Sequence, residues 1–309
     1  MLDRSFIRQS AAAAGFDLCG VAPCRHLVRN EQFFRRWLGD GRHASLGYLE
    51  RNLDKRFDVR RLVEGAQTVV VCAVGYKNGL SDGYPDDFRA KIASYALTAD
   101  YHATIKGMLG DLFGRLRAAE PALAGRAFVD SAPLVEKQLA VEAGLGWIGR
   151  QSLLVTPRFG SFVLLGELVL DAACDRYDEP LAGVGCGSCR RCVEACPTDA
   201  VCNDRAIDAR RCISCHTIER TPAAEIALDG WIFGCDACQS RCPYNLRAPL
   251  HLHPAFDPLF DPLSFPPERW LAMEEAEFRT SFGRTPLMRS GLRRLQANAA
   301  QNLRRKGRE

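Results

Sequence analysis

The chain has 309 residues, 47% apolar and 25% charged, and its 41 lysines and arginines against 37 acidic residues leave a net charge of +4. That is the composition of an ordinary soluble globular protein, long enough for roughly two domains and too mildly charged to announce a polyanionic partner by charge alone. No stretch reaches the ~18 apolar residues of a membrane span, and Met1-Leu2-Asp3-Arg4 runs into a helical pattern with no signal peptide, so the fourteen cysteines point to cytoplasmic thiol chemistry and not to a secreted disulfide scaffold.

Residues 5–14 read as a helix closed by Gly15, and 16–21 as a short strand. Helical pieces follow at 33–38, up to Leu49, and at 58–63. The continuous β-branched run at 68–76 predicts a buried central strand, and 92–97 a second one. From Ala99 a long amphipathic helix carries Tyr101, Ile105, Met108, Leu109, Leu112, Phe113 and Leu116 on one face, as far as Pro121. Residues 126–129 read as a strand that delivers Asp130 at its end, and 133–143 as a helix with Pro133 in its first turn. Residues 153–156 and 161–170 complete the sheet as a hairpin about 157–160. Strands alternating with helices predict an α/β or α+β domain over about 1–172, with the strand order left open. A linker at 173–184, a cysteine module to about 250, a Pro-rich connector at 254–267, a short helix at 268–273 and a final helix at 287–306 follow.

The cysteine module has the most specific signal. Cys186-Gly-Ser-Cys189-Arg-Arg-Cys192-Val-Glu-Ala-Cys196-Pro197 is the C-x-x-C-x-x-C-x-x-x-C-P run of a bacterial ferredoxin, and a stretched copy follows as Cys212, then Cys235-Asp-Ala-Cys238-Gln-Ser-Arg-Cys242-Pro243. A cuboidal cluster needs several thiolates converging from one loop, and in two-cluster ferredoxins the fourth cysteine of each run ligates the other cluster. The spacing therefore predicts two [4Fe-4S] clusters, one on Cys186, Cys189, Cys192 and Cys242, the other on Cys212, Cys235, Cys238 and Cys196. Paired zinc knots also use C-x-x-C, but seldom three cysteines at this spacing followed by C-P, twice. The remaining Cys19, Cys24, Cys72, Cys174, Cys202 and Cys215 read as reduced core thiols, with Cys215 a spare sulfur beside a cluster.

Outside that module, Asp130 stands where a strand hands over to a helix, which suits either a ligand-facing carboxylate or a helix cap. The loop from Gly144 through Gly149 to Arg150, Gln151 and Ser152 suits close approach to a large planar or phosphate-bearing cofactor, or a turn around a packed Trp147. His102 opens the long helix without the D-x-H-x-x-G box of a cobalt-ligating histidine, since Ile105 holds the glycine position. Arg289, Arg293, Arg294, Arg304, Arg305, Lys306 and Arg308 make the last helix basic, as a phosphate-binding or a solvated face.

Together these segments resemble the epoxyqueuosine reductase family over nearly the whole chain. The likeness rests on the stretch from Gly15 to Pro23, Tyr95 through His102, Val129-Asp130-Ser131-Ala132-Pro133, Gly144 to Gly149, Pro157 to Ser161, both cysteine runs and the stretch from Asp208 to Ser214. It implies an α+β chain in three parts: a cobalamin-binding catalytic domain of α/β type at 1–172, a ferredoxin-like module with two [4Fe-4S] clusters at 173–250, and a connector with a basic C-terminal helix at 251–309. It further implies cobalamin held base-off, electrons passing from the clusters to cobalt, and reduction of epoxyqueuosine to queuosine at the wobble position of tRNA. Asp130 falls on the family's catalytic proton donor, a role that calls for a carboxyl kept protonated near neutral pH, as burial beside the corrin would favour. Arg56, Tyr101, Arg150, Gln151 and Ser152 become candidate corrin contacts. The resemblance also implies a cytoplasmic monomer fed by a low-potential donor such as flavodoxin or ferredoxin. Many members continue into helical repeats that contact the tRNA, whereas this chain stops at Glu309, so tRNA binding is expected to rest on the basic helix and on Arg35, Arg36, Arg60 and Arg61. Cys215 and His216 depart from the aromatic and apolar residues expected there. The competing reading keeps corrinoid and clusters but acts on a non-tRNA substrate or activates a corrinoid protein; a bare electron carrier would leave the large N-terminal domain without a task.

Overall fold

The β-branched run that begins at Thr68 becomes an inner strand of the main sheet in the computed structural model, which describes residues 1–219 and 226–306. In chain order the strands are β1 Leu18–Pro23, β2 Thr68–Gly75, β3 Lys91–Ile92, β4 Gly125–Phe128, β5 Trp147–Ile148, β6 Leu154–Val155, β7 Val163–Leu170 and β8 Trp231–Phe233. Four of them form one sheet in the order β1-β2-β7-β4, with every neighbour antiparallel. Every residue of β2 is buried because helices cover both faces. Ile7 and Ala11 of the Arg4–Ala13 helix and Ile105, Leu109 and Leu112 of the Tyr101–Ala119 helix pack on Val70, Cys72 and Leu168. Leu139 and Ala140 of the Glu136–Glu142 helix pack with Val69, Val71 and Val169 on the other side. The two-residue period of a strand sorts these sets onto opposite faces. Among the described residues no helix is long and apolar enough to cross a membrane.

The domain is α+β, not α/β: β7 enters between β2 and β4 with its direction opposed to both. Three other expectations change. Residues 94–97 form a short 3-10 helix and not a strand, because the Ser94 amide leaves any ladder to donate to Asp236 Oδ2 at 2.7 Å. The predicted hairpin about 157–160 does not form; β6 pairs with β5, and β7 with β2 and β4. Thr156 and Gly160 do close a tight turn, after which Asn245 captures the Ser161 amide at 2.6 Å and turns the chain away. Finally, the helix expected at Pro133 starts at Glu136 with no side-chain cap, so Asp130 does not cap it.

The C-terminal segment is part of the core and not an appendage. β3 pairs in parallel with β8, and this small ladder packs Ile92, Ile232 and Phe233 against Trp270, Phe282, Leu292, Leu295 and Ala299. Phe278 and Phe282 come from a helix, Glu275–Phe282, that the periodicity reading passed over. The final helix, Gly291–Lys306, is tied down through Asn298 Nδ2, which donates to the carbonyls of Thr217 and Ile232.

A buried polar network joins the cysteine-bearing segment to the sheet domain. Asp236 accepts from both the amide and the hydroxyl of Ser94, at 2.7 and 2.6 Å, and from Gln239 Nε2 at 3.0 Å. Asn245, fully buried, accepts from the Ser161 amide and donates to Ser161 Oγ and to the Gln239 carbonyl. Lys77 Nζ donates to the Asn245 carbonyl at 2.9 Å. The fit is close enough that a Cβ on Gly160 would lie 2.0 Å from Asn245 Oδ1. A buried donor left without its acceptor costs far more than the pair contributes when made. Asn245→Ala is therefore expected to lower unfolding stability by on the order of 2–3 kcal/mol, measured by chemical denaturation.

Candidate functional site

The eight predicted cluster cysteines sort into two neighbourhoods. Cys192 feels the charges of Cys186, Cys242 and Cys189, and Cys242 those of Cys186 and Cys189. Cys238 faces Cys212 and Cys196, and Cys235 faces Cys238 and Cys212. Cys238 also senses Cys192, so the two sets adjoin. Burial, and then mutual charge, raises the pKa of Cys192, Cys235 and Cys238. Such thiols ionise readily only against a cation, as metal-bound thiols do. Among the described residues, no three His, Cys, Asp or Glu side chains close on a single metal ion.

Two adjoining cavities lie beside the sheet domain. The larger, about 950 Å³, is walled by Tyr48, Arg51, Tyr101, His102, Asp130 and Arg289, among others. The smaller, about 600 Å³, is walled by Phe33, Phe34, Trp37, Gln151, Ser152 and Ile207, among others, and shares Arg56, Leu134 and Glu136 with the first. Of the residues expected at a corrin, Tyr101 and Asp130 thus meet one cavity, Gln151 and Ser152 the other, and Arg56 both. Arg150 lines neither; its Nη2 donates to the Gly187 carbonyl of the first cysteine run at 2.9 Å. Arg56 Nε and Gln151 Nε2 are buried donors without a partner in the protein, which suits a ligand rich in carbonyl acceptors, such as the amide-fringed rim of a corrin. Within the glycine loop the protein itself makes close contacts. A Cβ on Gly146 would sit 2.2 Å from the Val155 carbonyl, and Trp147 packs edge-on to Tyr244 at 4.8 Å.

Asp130 stands at the mouth of the larger cavity, two residues past β4, with its side chain 50% exposed. The burial expected around it is therefore not supplied by the protein. Tyr101 donates its hydroxyl to Asp130 Oδ2 at 2.9 Å, and His102 Nε2 lies 3.3 Å from the same oxygen. His102 Nδ1 is 2.6 Å from Asp100 Oδ1, and its ring stacks on Tyr101. Burial first, and then the charge of Asp130, pushes the Tyr101 phenol well up, so it remains a donor.

Two carboxyls behind Asp130 escaped the sequence reading. Glu136 Oε1 accepts the Asp130 amide at 2.6 Å. Glu167 is fully buried in β7, opposite Val71 and Phe128; no amide, hydroxyl or cation satisfies its carboxyl, and its polar neighbour is the carboxyl of Glu136. Burial, then the neighbouring charges, raises both: Glu136 to about 7 and Glu167 well above the carboxylate range. The available signal was a carboxylate inside the otherwise apolar run of residues 162–170.

Of the arginines expected to meet phosphate, Arg35 pairs with Glu31, Arg60 with Asp58, Arg61 with Asp54 and Arg289 with Glu219. Arg36, Arg293 and Arg304 are exposed, while Arg308 and Glu309, and the side chains of Arg305 and Lys306, lie outside the described residues.

A paired-cysteine module docked on an α+β domain with a carboxylate-bearing cavity defines the class: an oxidoreductase with a 4Fe-4S double-cluster domain. The family model "4Fe-4S double cluster binding domain" matches residues 185–245, and the model "Epoxyqueuosine reductase QueG, DUF1730" matches 56–131. The chain is 39% identical to the epoxyqueuosine reductase of Cyclobacterium marinum over 302 residues, covering 94% of each, and 35% identical to that of Cellulophaga algicola over 300 residues, covering 94% of this chain and 95% of the relative. It superposes with a TM-score of 0.87 and 26% identity on an epoxyqueuosine reductase crystallised with an epoxyqueuosine-modified tRNA-Tyr stem loop, covering 97% of this chain and 80% of that one. A Bacillus subtilis epoxyqueuosine reductase whose catalytic aspartate loop is swung out of the active site aligns with a TM-score of 0.83 and 26% identity over the same shares. The chain belongs to the epoxyqueuosine reductase family.

A carboxyl with a raised pKa in the fold holds its proton more tightly folded than unfolded, so its contribution to stability falls as pH rises from the ordinary carboxylate range through the raised value. Glu167→Gln removes that loss. The variant is expected to gain on the wild type as pH rises from 5 toward 8, by up to about 1.4 kcal/mol per pH unit, measured by denaturant titration at each pH.

Proposed function

We propose that this chain reduces epoxyqueuosine at the wobble position of tRNA to queuosine, using two [4Fe-4S] clusters and base-off cobalamin, with Asp130 as the proton donor. The observation that carries the reading is Asp130, held by Tyr101 and His102 at a cavity mouth beside a double-cluster domain, in a chain 39% identical to an epoxyqueuosine reductase. Residues 1–172 are taken as the cobalamin-binding catalytic domain, 173–250 as the two-cluster module and 251–309 as the connector and C-terminal helix. Cys186, Cys189, Cys192 and Cys242 are assigned to one cluster, and Cys196, Cys212, Cys235 and Cys238 to the other.

Arg56, Gln151 and Ser152 would hold the corrin from the smaller cavity and Tyr101 from the larger, with Arg150 tying that loop to the cysteine run. Cobalamin, when bound, would supply a low-valent cobalt able to accept electrons one at a time and deliver two to the epoxide carbon. Opening the epoxide to the alkene consumes two electrons and two protons and releases the oxygen as water. Asp130 gives a proton to that departing oxygen; Tyr101 and His102 fix the carboxyl through one oxygen, leaving the other to face the substrate. Arg51 on the wall of the larger cavity is suited to a flanking phosphate. The anticodon loop offers an unstacked, accessible base, the usual target of single-strand RNA recognition. The Asp130 turn is read as the counterpart of the loop that moves in the Bacillus subtilis protein. The enzyme is taken to work as a cytoplasmic monomer supplied by a low-potential donor such as flavodoxin or ferredoxin.

The test is anaerobic reconstitution with iron, sulfide and cobalamin, reduction, and incubation with epoxyqueuosine-bearing tRNA, with nucleosides read by mass. Cobalamin-dependent loss of one oxygen is expected, and unchanged tRNA with all cofactors bound would refute the substrate. In the same assay Asp130→Asn should retain both kinds of cofactor and lose turnover by about 10²-fold or more; full activity would remove Asp130 from the mechanism. Cys186→Ala should lose one cluster, read as a drop in iron content and in the visible charge-transfer absorbance.

A further inference from the structure

Asp130 occupies a strained turn. The Ser131 amide donates to the Val129 carbonyl at 2.5 Å, closing a three-residue turn with Asp130 at its centre and φ +51. A γ-turn with positive φ at a residue other than glycine is rare and strained, and such a conformation persists only where the surroundings over-determine it. The surrounding contact here is Glu136, whose carboxyl takes the Asp130 amide at 2.6 Å and lines both cavities. Behind it, Glu167 lies fully buried in β7, its carboxyl against that of Glu136. Neither residue is needed to explain the proton donor itself.

We propose that Glu136, backed by Glu167, is a positioning residue that latches the Asp130 turn, so that the charge on this carboxyl pair decides how firmly the proton donor is held. The functional meaning of the latch rests on Asp130 being that donor. The groups facing Glu136 are Asp130 and Tyr101 at the cavity mouth, Lys137 on its own helix and Glu167 from the sheet, with Arg56 on the shared cavity wall. An ionised carboxylate is a stronger acceptor for an amide than a neutral acid. Glu136 is raised to about 7, by burial and then by Asp130, so the latch weakens as pH falls through neutrality and tightens above it. Burial and the Asp130 charge hold the switch near neutral pH, against the Asp130 amide and a protonated Glu167, which favour the ionised form.

Hydrogen exchange at the Asp130 amide, resolved by mass spectrometry on the full chain carrying its clusters and corrected for intrinsic rate, tests this without turnover. Wild type should show protection that falls between pH 8 and pH 6. Glu136→Ala should raise exchange there by roughly tenfold or more while β7 stays protected. Glu136→Gln, which is nearly isosteric and keeps an acceptor oxygen, should keep the protection and lose its pH dependence. An Asp130 amide as protected in Glu136→Ala as in wild type, or a Glu136→Gln protein that follows the wild-type pH dependence, would overturn the latch. If the Ala variant does not fold, the Gln variant decides alone. Failure of Asp130 as proton donor would appear separately, as a fully active Asp130→Asn enzyme.

Discussion

The arrangement depends on one buried polar clamp. Asp236, Gln239 and Asn245 sit among Cys235, Cys238 and Cys242, and they hydrogen-bond to Ser94 and Ser161 of the sheet domain at distances from 2.6 to 2.9 Å. Each of these polar side chains is nearly or wholly shielded from water. Made, such bonds contribute about 1 kcal/mol apiece; broken by undocking without full rehydration, they cost more than that. The clamp therefore has few intermediate states, and it holds the cysteine segment in one position against the domain that contains the cavities. In the proposed reaction, single-electron transfer into a fixed site would benefit from that rigidity, because the path from thiolates to cavity would be set by the fold and not by a diffusing module.

Electrostatics on the other side of the sheet follow from burial. Glu167 sits in a strand whose other inward residues are apolar, with Glu136 next to it on the covering helix. Two carboxyls this close cannot both ionise cheaply, so Glu167 keeps its proton directly behind the Asp130 turn. Asp130 itself is exposed to the cavity, held from the front by Tyr101 and His102 and from behind by Glu136. The Asp130 carboxyl is left open to the cavity, and of the side chains around it only Glu167 is fully buried.

Much of this was legible in the sequence. Both cysteine runs, the buried strand at Thr68, the apolar face of the long helix and the delivery of Asp130 by a strand follow from spacing and period alone, because each is a local pattern with a local cause. What was not legible depends on partners far along the chain. Ser94 and Ser161 leave extended pairing because Asp236 and Asn245 claim their amides, and no window around residues 94 or 161 contains that information. Antiparallel entry of β7 between β2 and β4 is likewise a tertiary choice, which the alternation of strands and helices left undetermined. Glu167 was visible as a charged residue in an apolar run, but its neighbour Glu136 becomes a partner only once the helix docks on that face. The last helix read as a basic tail from its arginines, although its Leu292, Leu295 and Ala299 stripe seals a core with Trp270 and Phe282.

The most direct test of the clamp is native-state hydrogen exchange at the amides of Ser94 and Ser161, followed at increasing denaturant. If the clamp joins the two parts into one cooperative unit, both amides should exchange with the free energy and denaturant dependence of the β2 amides, through global unfolding alone. Exchange of Ser94 and Ser161 through a smaller opening, with β2 still protected, would mean that the cysteine segment undocks independently and would contradict the account.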